Sequence, residues 1–307
     1  MSPPPLDRRT LLQAIGLLGL SRQAWAATLD VHVLSSGDTP AQQALVQALS
    51  ARLPSLHVQN DLSAPNAKMP TGASIVLGAQ AVRQALDKGL KGPTIAVLTS
   101  AQAQRLGMAS LPSRERPGWS ALYTDASPLS QFQLIDAVFE RKVNVGVLLS
   151  EASAHLERAL GQAATTTGMN LLLAKVGPQD NVVRAINRIG DVQVLLAVAD
   201  SQLYTPDSLR AVLESTYRRG LPVIGFSPAT VSAGTLATAC SDVGDVTADL
   251  IDWAESLRSA TSVAPGEARH CRYWKIKVND SVARSLGIPL SERLLKLGVQ
   301  PLARSAR

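Results

Sequence analysis

Val143-Asn144-Val145-Gly146-Val147-Leu148-Leu149-Ser150-Glu151 is the stretch that decides the fold of this chain. Its first seven residues are nearly all apolar, which is typical of a β-strand covered on both faces. The polar pair Ser150-Glu151 ends the run, and residues 152–167 continue with helical spacing. A buried strand followed by a helix predicts a βαβ unit with parallel strands.

The same alternation recurs along the chain. Runs that predict buried strands occupy residues 29–34, 73–77, 94–98, 143–149, 171–174, 192–198 and 221–226. Segments with helical spacing occupy residues 40–52, 79–88, 128–139, 152–167, 179–189 and 206–219. Pro206 and Gly220 bound the last of these segments, as expected for the start and end of a real helix. The predicted fold class is therefore α/β with doubly wound parallel sheets.

The chain predicts two lobes. The strand and helix pattern restarts after residues 123–128, so that residues 143–167 repeat the arrangement of residues 29–52. A length of 307 residues with 46% hydrophobic side chains is enough for two such cores. Aromatic residues are only 4%, so we expect aliphatic packing in both lobes.

The first 26 residues have the three parts of an export signal. Arg8-Arg9 precede Leu11-Leu12, a short apolar stretch follows, and the segment ends in Ala24-Trp25-Ala26. Paired arginines before leucines resemble the twin-arginine address, so we predict periplasmic export with cleavage after Ala26. The alternative is a buried helix at the start of the domain. No later apolar run approaches the roughly 20 residues of a membrane span, so no stable membrane insertion is expected after cleavage.

The charge of the chain gives no nucleic-acid signature. The net charge is +6, and the arginines are mostly scattered along the predicted helices. A nucleic-acid-binding protein concentrates its positive charge in a stripe or patch. Residues 269–277 are the nearest candidate, but their alternation of charged and aromatic residues favours an extended surface strand.

The sequence contains no recognisable catalytic or metal-binding motif. The four histidines are scattered and belong to no metal-ligand spacing; they are His32, His57, His155 and His270. The nucleophile elbow, the Walker loop and the dinucleotide-binding turn are also missing from the sequence. We therefore predict no catalytic residues, no metal and no cofactor, although a constellation assembled only in the fold has no local sequence motif. Cys240 and Cys271 are able to pair in an oxidising compartment, and the sequence leaves their pairing open.

Polar loops follow several of the predicted strands. In open α/β sheets, ligands bind at the carboxyl ends of the strands, where the N-termini of helices present free N–H groups. The candidate ligand contacts are Ser35, Ser36, Gln80, Thr99 and Ser100 in the first lobe, Ser150, Asp200, Gln202 and Tyr204 in the second, and Asp125 and Phe226 between the lobes. Capping of helices is the alternative role for Ser and Asp, and core packing is the alternative for Phe226.

Several stretches resemble the ABC-transporter substrate-binding family with the type I periplasmic-binding fold. These are residues 73–81 (ASIVLGAQA), 92–98 (GPTIAVL), 142–150 (KVNVGVLLS), 233–245 (AGTLATACSDVGD) and 278–290 (VNDSVARSLGIPL). The last of them is the most specific, because it is similar to the valine-asparagine start and leucine-glycine-isoleucine-proline end of that family's final segment.

The resemblance implies two lobes joined by three crossings of the chain. The crossings are expected near residues 124–127, 226–229 and 275–279. Lobe 1 then comprises residues 27–125 and about 229–274, and lobe 2 comprises residues 126–228 and about 275–307. A ligand that contacts both lobes would favour the closed form.

Two functions of this kind remain open. The first is a periplasmic protein that captures a small solute and delivers it to an ABC permease. The second is a ligand-sensing module that reports to a receptor kinase or an outer-membrane partner. Hydroxyl groups suited to a carboxylate, with Asp125 or Asp200 for an ammonium group, predict an amino-acid-like solute.

Overall fold

The computed structural model describes residues 30–53, 55–59, 62, 68–109, 118–259 and 267–301. Its strands are β1 (Val31–Ser35), β2 (Leu56–Gln59), β3 (Ala73–Leu77), β4 (Thr94–Thr99), β5 (Trp119–Tyr123), β6 (Asn144–Leu149), β7 (Asn170–Lys175), β8 (Val194–Leu196), β9 (Val223–Ile224), β10 (Ala237–Cys240), β11 (Arg269–His270), β12 (Trp274–Val278) and β13 (Gly298–Val299). Its α-helices are α1 (Pro40–Ser50), α2 (Ala79–Asp87), α3 (Ala101–Ala109), α4 (Pro128–Phe139), α5 (Glu157–Thr167), α6 (Val182–Arg188), α7 (Pro206–Arg218), α8 (Pro228–Ala233), α9 (Val243–Ser259), α10 (Asp280–Ser285) and α11 (Glu292–Leu295).

The strands form two sheets, which confirms the α/β fold class and its two lobes. The sheet of lobe 1 has the order β11-β5-β4-β3-β1-β2, and all its pairings are parallel. The sheet of lobe 2 has the order β13-β12-β10-β9-β8-β6-β7. The predicted export segment, residues 1–26, lies outside the described residues.

Both faces of each sheet are buried, which explains the nearly continuous apolar runs. In lobe 1, Val33 and Ile75 pack in one core with α1 and α9, while Leu34 and Val76 pack in another with α2. In lobe 2, alternate residues of β6 likewise join one core with α4 and α5 and a second core with α6 and α7. Strands buried on both faces lose the polar alternation of a half-exposed sheet.

One edge of the second sheet departs from the predicted parallel arrangement. Strand β12 pairs antiparallel with β10, and β13 pairs antiparallel with β12. The register places Cys240, the last residue of β10, opposite Lys275 near the start of β12. The chain leaves and re-enters this lobe at the same edge of the sheet, so the returning strand must run the opposite way.

In the described ranges, the chain passes between the sheets three times, after β5, after β10 and after β11. The second and third passages lie at residues 240–243 and 270–274, whereas the family resemblance implied residues 226–229 and 275–279. Residues 229–240 therefore belong to lobe 2, because β10 pairs with β9 and β12. Ser227-Pro228 starts the short helix α8, with a side-chain cap from Ser227 to the Thr230 N–H, and is not a crossing.

Ion pairs anchor the third crossing. The carboxylate of Asp249 on α9 is fully buried and accepts hydrogen bonds from Arg269 at 2.7 and 2.6 Å. It also accepts from the Arg272 backbone N–H and Nε, each at 2.8 Å. Helix α9 of lobe 1 is thereby bound to the segment that leads into lobe 2.

The two cysteines lie at the ends of crossings. Cys240 is the last residue of β10, Cys271 follows β11, and both thiols are free. Burial raises the pKa of Cys271 to about 12, an effect that the nearby Asp249 charge increases.

No helix in the described part of the chain is both long enough and apolar enough to span a bilayer.

Candidate ligand-binding cleft

The carboxyl ends of the parallel strands lie at one edge of each sheet. In lobe 1, β1 ends at Ser35, β4 at Thr99 and β5 at Tyr123, just before the first crossing. In lobe 2, β6 leads into Ser150, and β8 leads into the loop that contains Asp200. Nearly all the ligand contacts predicted from the sequence therefore follow the carboxyl end of a strand.

The end of β4 has an irregular backbone. The register with β5 shifts between Ala96 and Thr99, and Leu98 has a left-handed φ of 53°. The Thr99 carbonyl accepts hydrogen bonds from the Thr124 N–H at 3.1 Å and hydroxyl at 3.2 Å. The Thr99 hydroxyl itself is buried and has no hydrogen-bond partner among the described residues. A bulge at a strand end re-aims side chains, and such features recur beside binding sites.

Two predicted contacts hold the start of helix α3. The Ser100 hydroxyl accepts from the Ala103 N–H at 3.0 Å, and Asp125 Oδ2 accepts from the Ala101 N–H at 3.1 Å. Asp125 thereby joins the first crossing to α3. Burial raises the pKa of this carboxyl above its ordinary value, and the hydrogen bond from Ala101 opposes that rise.

Asp200 and Ser150 form the centre of the lobe 2 edge. The Ser150 hydroxyl donates to Asp200 Oδ2 at 2.6 Å, and the Ser150 N–H donates to the same oxygen at 3.3 Å. The Gln202 N–H donates to Oδ1 at 2.9 Å. Asp200 is only 2% exposed, yet these hydrogen bonds and one from Ser153 outweigh burial and lower its pKa. Its carboxylate thus holds the ends of β6 and β8 together and stays ionised.

This geometry changes the role first considered for Asp200. The sequence suggested that its carboxylate pairs with the ammonium group of a ligand. Both oxygens instead accept hydrogen bonds from their own lobe. A ligand would have to displace one of these donors. The Asp125 carboxylate, by contrast, accepts from the Ala101 backbone N–H through Oδ2.

Tyr204 and Phe226 form an aromatic pair in lobe 2. Their ring centroids lie 6.0 Å apart, with the planes tilted by 44°. Tyr204 is buried, and its hydroxyl has no hydrogen-bond partner in the part of the chain that the structure describes. Burial, together with the charge of Asp200, raises the pKa of the phenol. Phe226 remains half-buried, so its ring packs against the core and keeps an accessible part.

The two lobes meet between α3 and the strand-end loops of lobe 2. The Ser201 N–H donates to Gln102 Oε1 at 3.4 Å, which joins the Asp200 loop to the first turn of α3. Arg105, one turn further along α3, lies within electrostatic reach of both Tyr123 and His155. These contacts bring the Thr99 to Asp125 region of lobe 1 together with the Ser150 and Asp200 region of lobe 2.

Three predicted contacts lie apart from this junction. Ser35 turns its hydroxyl back to the Gly37 carbonyl at 2.6 Å, and Ser36 is half-buried beside it. Gln80 is exposed in the first turn of α2. Within the described ranges, no hydrogen bond or ion pair links any of the three to lobe 2. They follow β1 and β3, which the sheet order places further from the first crossing than β4 and β5.

His155 is a polar group at the junction that the strand-end argument missed. It lies in a short 3-10 helix, Ala154–Leu156, that precedes α5. Its Nδ1 lies 3.1 Å from the Ala152 carbonyl, which can only accept, so Nδ1 carries the hydrogen of the neutral ring. Burial, and then the charge of Arg105, lowers the pKa of His155. Its Nε2 is buried without a partner among the described residues and offers a lone pair.

Gln102, Arg105 and His155 share one signal that was available in the sequence. Each follows a strand-end residue by a few positions and lies in the first turns of the next helical segment. Their positions, one or two helical turns past the loop, distinguish them from the strand-end candidates. In the described ranges, no cluster of three or more His, Cys, Asp or Glu side chains has the arrangement of a metal site.

The fold is similar to that of several solved structures. No protein-family model and no curated protein sequence matches the chain. A conserved domain protein from Vibrio cholerae O1 biovar El Tor is 18% identical with a TM-score of 0.54, and the match covers 87% of this chain and 97% of that one. An ABC domain from Streptococcus pneumoniae in complex with L-Trp is 16% identical with a TM-score of 0.54, covering 87% and 98%.

A third solved structure has the highest TM-score of these three. It is the ligand-free, open structure of a substrate-binding protein with adhesive properties from Clostridium difficile. It is 15% identical with a TM-score of 0.63, and the match covers 88% of this chain and 97% of that one. The two-lobed α/β fold expected from the sequence is therefore confirmed, and it is similar to that of this substrate-binding protein.

Proposed function

We propose that this protein is an exported solute-binding protein that captures a small molecule between its lobes and delivers it to an ABC transporter. The observation that carries the proposal is the junction of α3 with the Asp200 loop. It brings polar strand ends of two separate sheets together, and a ligand that contacts both is the usual means of closing such a hinge. In this function the protein binds its ligand and catalyses no reaction.

An amino-acid-like solute fits the charges at this junction. Arg105 is an exposed cation on α3, and the Thr99 hydroxyl lies at the neighbouring strand end. Together they suit a carboxylate, while Asp125 suits an ammonium group. Phe226 offers an apolar ring face from lobe 2. The L-Trp held by the similar Streptococcus protein supports this class of ligand.

A thermal-shift screen tests the ligand. Amino acids, short peptides, sugars and polyols are added singly, because a molecule that binds only the folded protein raises its melting temperature. At a hundred times Kd the stabilisation is about 2.7 kcal/mol. We expect an amino acid to give the largest shift. A complete absence of shifts across all classes would contradict the binding function, and shifts confined to sugars would contradict the ligand class.

Matched arginine variants test the site. Arg105→Met should weaken binding of the identified acid by about 10- to 100-fold, because it removes a charge-assisted hydrogen bond. Arg210→Met, an exposed position on α7, serves as the control and should leave the affinity unchanged. Calorimetry measures both. Equal affinities for the two variants would remove Arg105 from the site.

Export and delivery are tested in cells. Replacing Arg8 and Arg9 by lysine should retain the protein in the cytoplasmic fraction, whereas Arg22→Lys should leave export intact. Deleting the gene should reduce uptake of the radiolabelled ligand. Normal export of the double-lysine variant would contradict the twin-arginine route, and normal uptake would contradict delivery to a transporter.

A further inference from the structure

Two polar atoms at the lobe 2 edge of the cleft are buried and have no hydrogen-bond partner among the described residues. They are Nε2 of His155 and the hydroxyl of Tyr204. Both lie within electrostatic reach of the Asp200 carboxylate, which accepts from Ser150 and Gln202 of its own lobe and leaves these two atoms unsatisfied. A buried polar atom without a partner is costly, so such atoms indicate where a group from outside the chain binds.

The free atom of His155 is a hydrogen-bond acceptor. The Ala152 carbonyl, 3.1 Å from Nδ1, holds the hydrogen of the neutral ring on that nitrogen. Burial, and then the charge of Arg105, lowers the pKa of His155, so the ring is neutral at neutral pH. Nε2 therefore has a lone pair and no hydrogen. A solute satisfies this atom only by presenting an O–H or N–H group to it.

The charges around His155 favour a donor that is itself uncharged. After burial, the largest influence on the pKa of His155 is the charge of Arg105 on α3, which exceeds the opposing influence of Asp200. A cation at this position repels an ammonium group but tolerates a hydroxyl, an amide or a ring N–H. The ammonium group of an amino acid has a better partner in the carboxylate of Asp125 at the first crossing. The donor at His155 therefore belongs to another part of the solute.

The aromatic pair of lobe 2 supplies an apolar wall to the same region. The ring of Phe226 is half-buried, and its centroid lies 6.0 Å from that of Tyr204. Tyr204 itself is only 7% exposed, so its unpartnered hydroxyl lies deep at this edge. Binding pockets commonly combine apolar walls with a few placed polar atoms. This combination suits a side chain that has both a carbon skeleton and a neutral donor.

We propose that the solute is an amino acid whose side chain carries a neutral hydrogen-bond donor, and that His155 selects it by accepting that donor through Nε2. This inference rests on the proposed solute-binding function and narrows its ligand class. A site that hydrogen-bonds a donor rejects the analogue that lacks it, because the buried acceptor is then left without a partner. His155 is thus a specificity-determining residue, and aliphatic amino acids of the same shape are poorer ligands.

Matched pairs of amino acids test this selection by calorimetry on the whole protein at neutral pH. The probes are L-threonine with L-valine, L-asparagine with L-leucine, L-tyrosine with L-phenylalanine, and L-tryptophan with L-1-naphthylalanine. The members of a pair have nearly the same shape, and only the first carries a side-chain donor. In at least one pair, we expect the donor member to bind about tenfold more tightly. Equal affinities in every pair that binds would overturn the proposal and leave solute binding intact, whereas no binding by any probe would overturn the proposed ligand class as well.

Variants of His155 then assign the preference to Nε2. His155→Phe keeps a ring but removes the lone pair, so the donor member should lose about tenfold in affinity and its analogue should not. His155→Gln has an amide oxygen that accepts a hydrogen bond, and it should restore part of the preference. His57→Phe, at an exposed position on β2 of lobe 1, is the matched control and should change neither affinity.

Two results with these variants would overturn the proposal. An equal loss for both members of a pair would assign the donor to the ammonium group that they share. An unchanged preference in His155→Phe would remove His155 from the contact. Circular dichroism checks that each variant is folded, and the comparison of the pairs in the wild type does not depend on the variants.

Discussion

The Asp249 ion-pair centre offers the sharpest test of how the lobes are joined. Its carboxylate is fully buried and accepts four hydrogen bonds from Arg269 and Arg272, all between 2.6 and 2.8 Å. The substitution Asp249→Asn keeps the volume of the side chain but removes its charge. It also turns an amide NH₂ group toward the guanidinium donors of the two arginines.

The expected loss follows from the exposure of the partners. Breaking a fully buried ion pair costs about 3 to 5 kcal/mol. The side chains of Arg269 and Arg272 are 37% and 50% exposed and regain water when the pair is broken. We therefore expect Asp249→Asn to lower the free energy of unfolding by about 2 to 3 kcal/mol at pH 7, below the full range for a buried pair.

The loss should depend on pH in a defined direction. Burial alone would raise the pKa of Asp249, but the hydrogen bonds and charges of Arg269 and Arg272 hold it below the ordinary value of 3.8. A carboxyl whose pKa is lower in the folded state stabilises the fold above its unfolded pKa and loses that contribution as the pH falls through the folded pKa. The gap between wild type and variant should therefore narrow below about pH 4.

Urea denaturation followed by circular dichroism measures both effects. Asp207→Asn on α7 is the control, because Asp207 is exposed and far from this centre along the chain. The control should change stability by less than about 0.5 kcal/mol at pH 7. A double-mutant cycle with Arg269→Met should show coupling between the two positions. A loss equal to that of the control, or additive effects in the cycle, would refute a strong ion-pair centre.

Four further predictions concern buried polar groups. Burial lowers the pKa of His270 to about 4. As the pH falls from 6.5 to 4, the free energy of unfolding of the wild type should therefore decrease by up to about 3 kcal/mol more than that of His270→Phe. Parallel pH curves in urea titrations would contradict this. Cys271, with a pKa of about 12, should react with iodoacetamide at pH 7.5 only after urea unfolding, and rapid labelling of the folded protein by mass spectrometry would contradict its burial. Ser150→Ala removes the hydroxyl that donates to Asp200 at 2.6 Å and should destabilise the protein by about 1.5 to 3 kcal/mol. Ser232→Ala, at an exposed site, is the control and should have little effect. Equal urea midpoints for the two variants would contradict a stabilising role of the Ser150–Asp200 hydrogen bond. Gln131→Leu should lower the free energy of unfolding by about 1 to 3 kcal/mol, because this buried amide donates to the Gly225 carbonyl at 2.9 Å and accepts from the Ala239 N–H at 3.2 Å. A change of less than about 0.5 kcal/mol, which is typical of surface substitutions, would contradict this role.

Much of the fold could be predicted from runs of apolar residues in the sequence, because both faces of each sheet are buried. The run at residues 143–149 became β6 over Asn144–Leu149, and the helix predicted at residues 128–139 became α4 over the same span. Such runs record burial directly. The sequence also indicates where several helices begin. Thr39, Ser127 and Thr205 each cap a helix whose first residue is proline.

The crossings were less accessible because tertiary pairing decides them. Strand β10 has the sequence Ala-Thr-Ala-Cys, which carries no strong apolar signal and becomes a strand through its pairing with β12 and β9. Ser227-Pro228 has the composition of a hinge but caps the helix α8. A cap and a crossing share the same residue types, so only the partners of the next strand distinguish them.

The same ambiguity explains which site residues the sequence could identify. Position at a strand end correctly located the edge of each sheet, but the hydroxyl of Ser100 and the carboxylate of Asp200 already accept hydrogen bonds from their own lobes. A polar group that is satisfied within the protein gains little from a ligand, whereas a buried group without a partner gains a full hydrogen bond. We therefore expect recognition to depend on the unpartnered Thr99 hydroxyl and His155 Nε2, together with the charge of Arg105 on α3. We expect the strand ends to position these groups and the first helical turns to add to the contacts with a ligand.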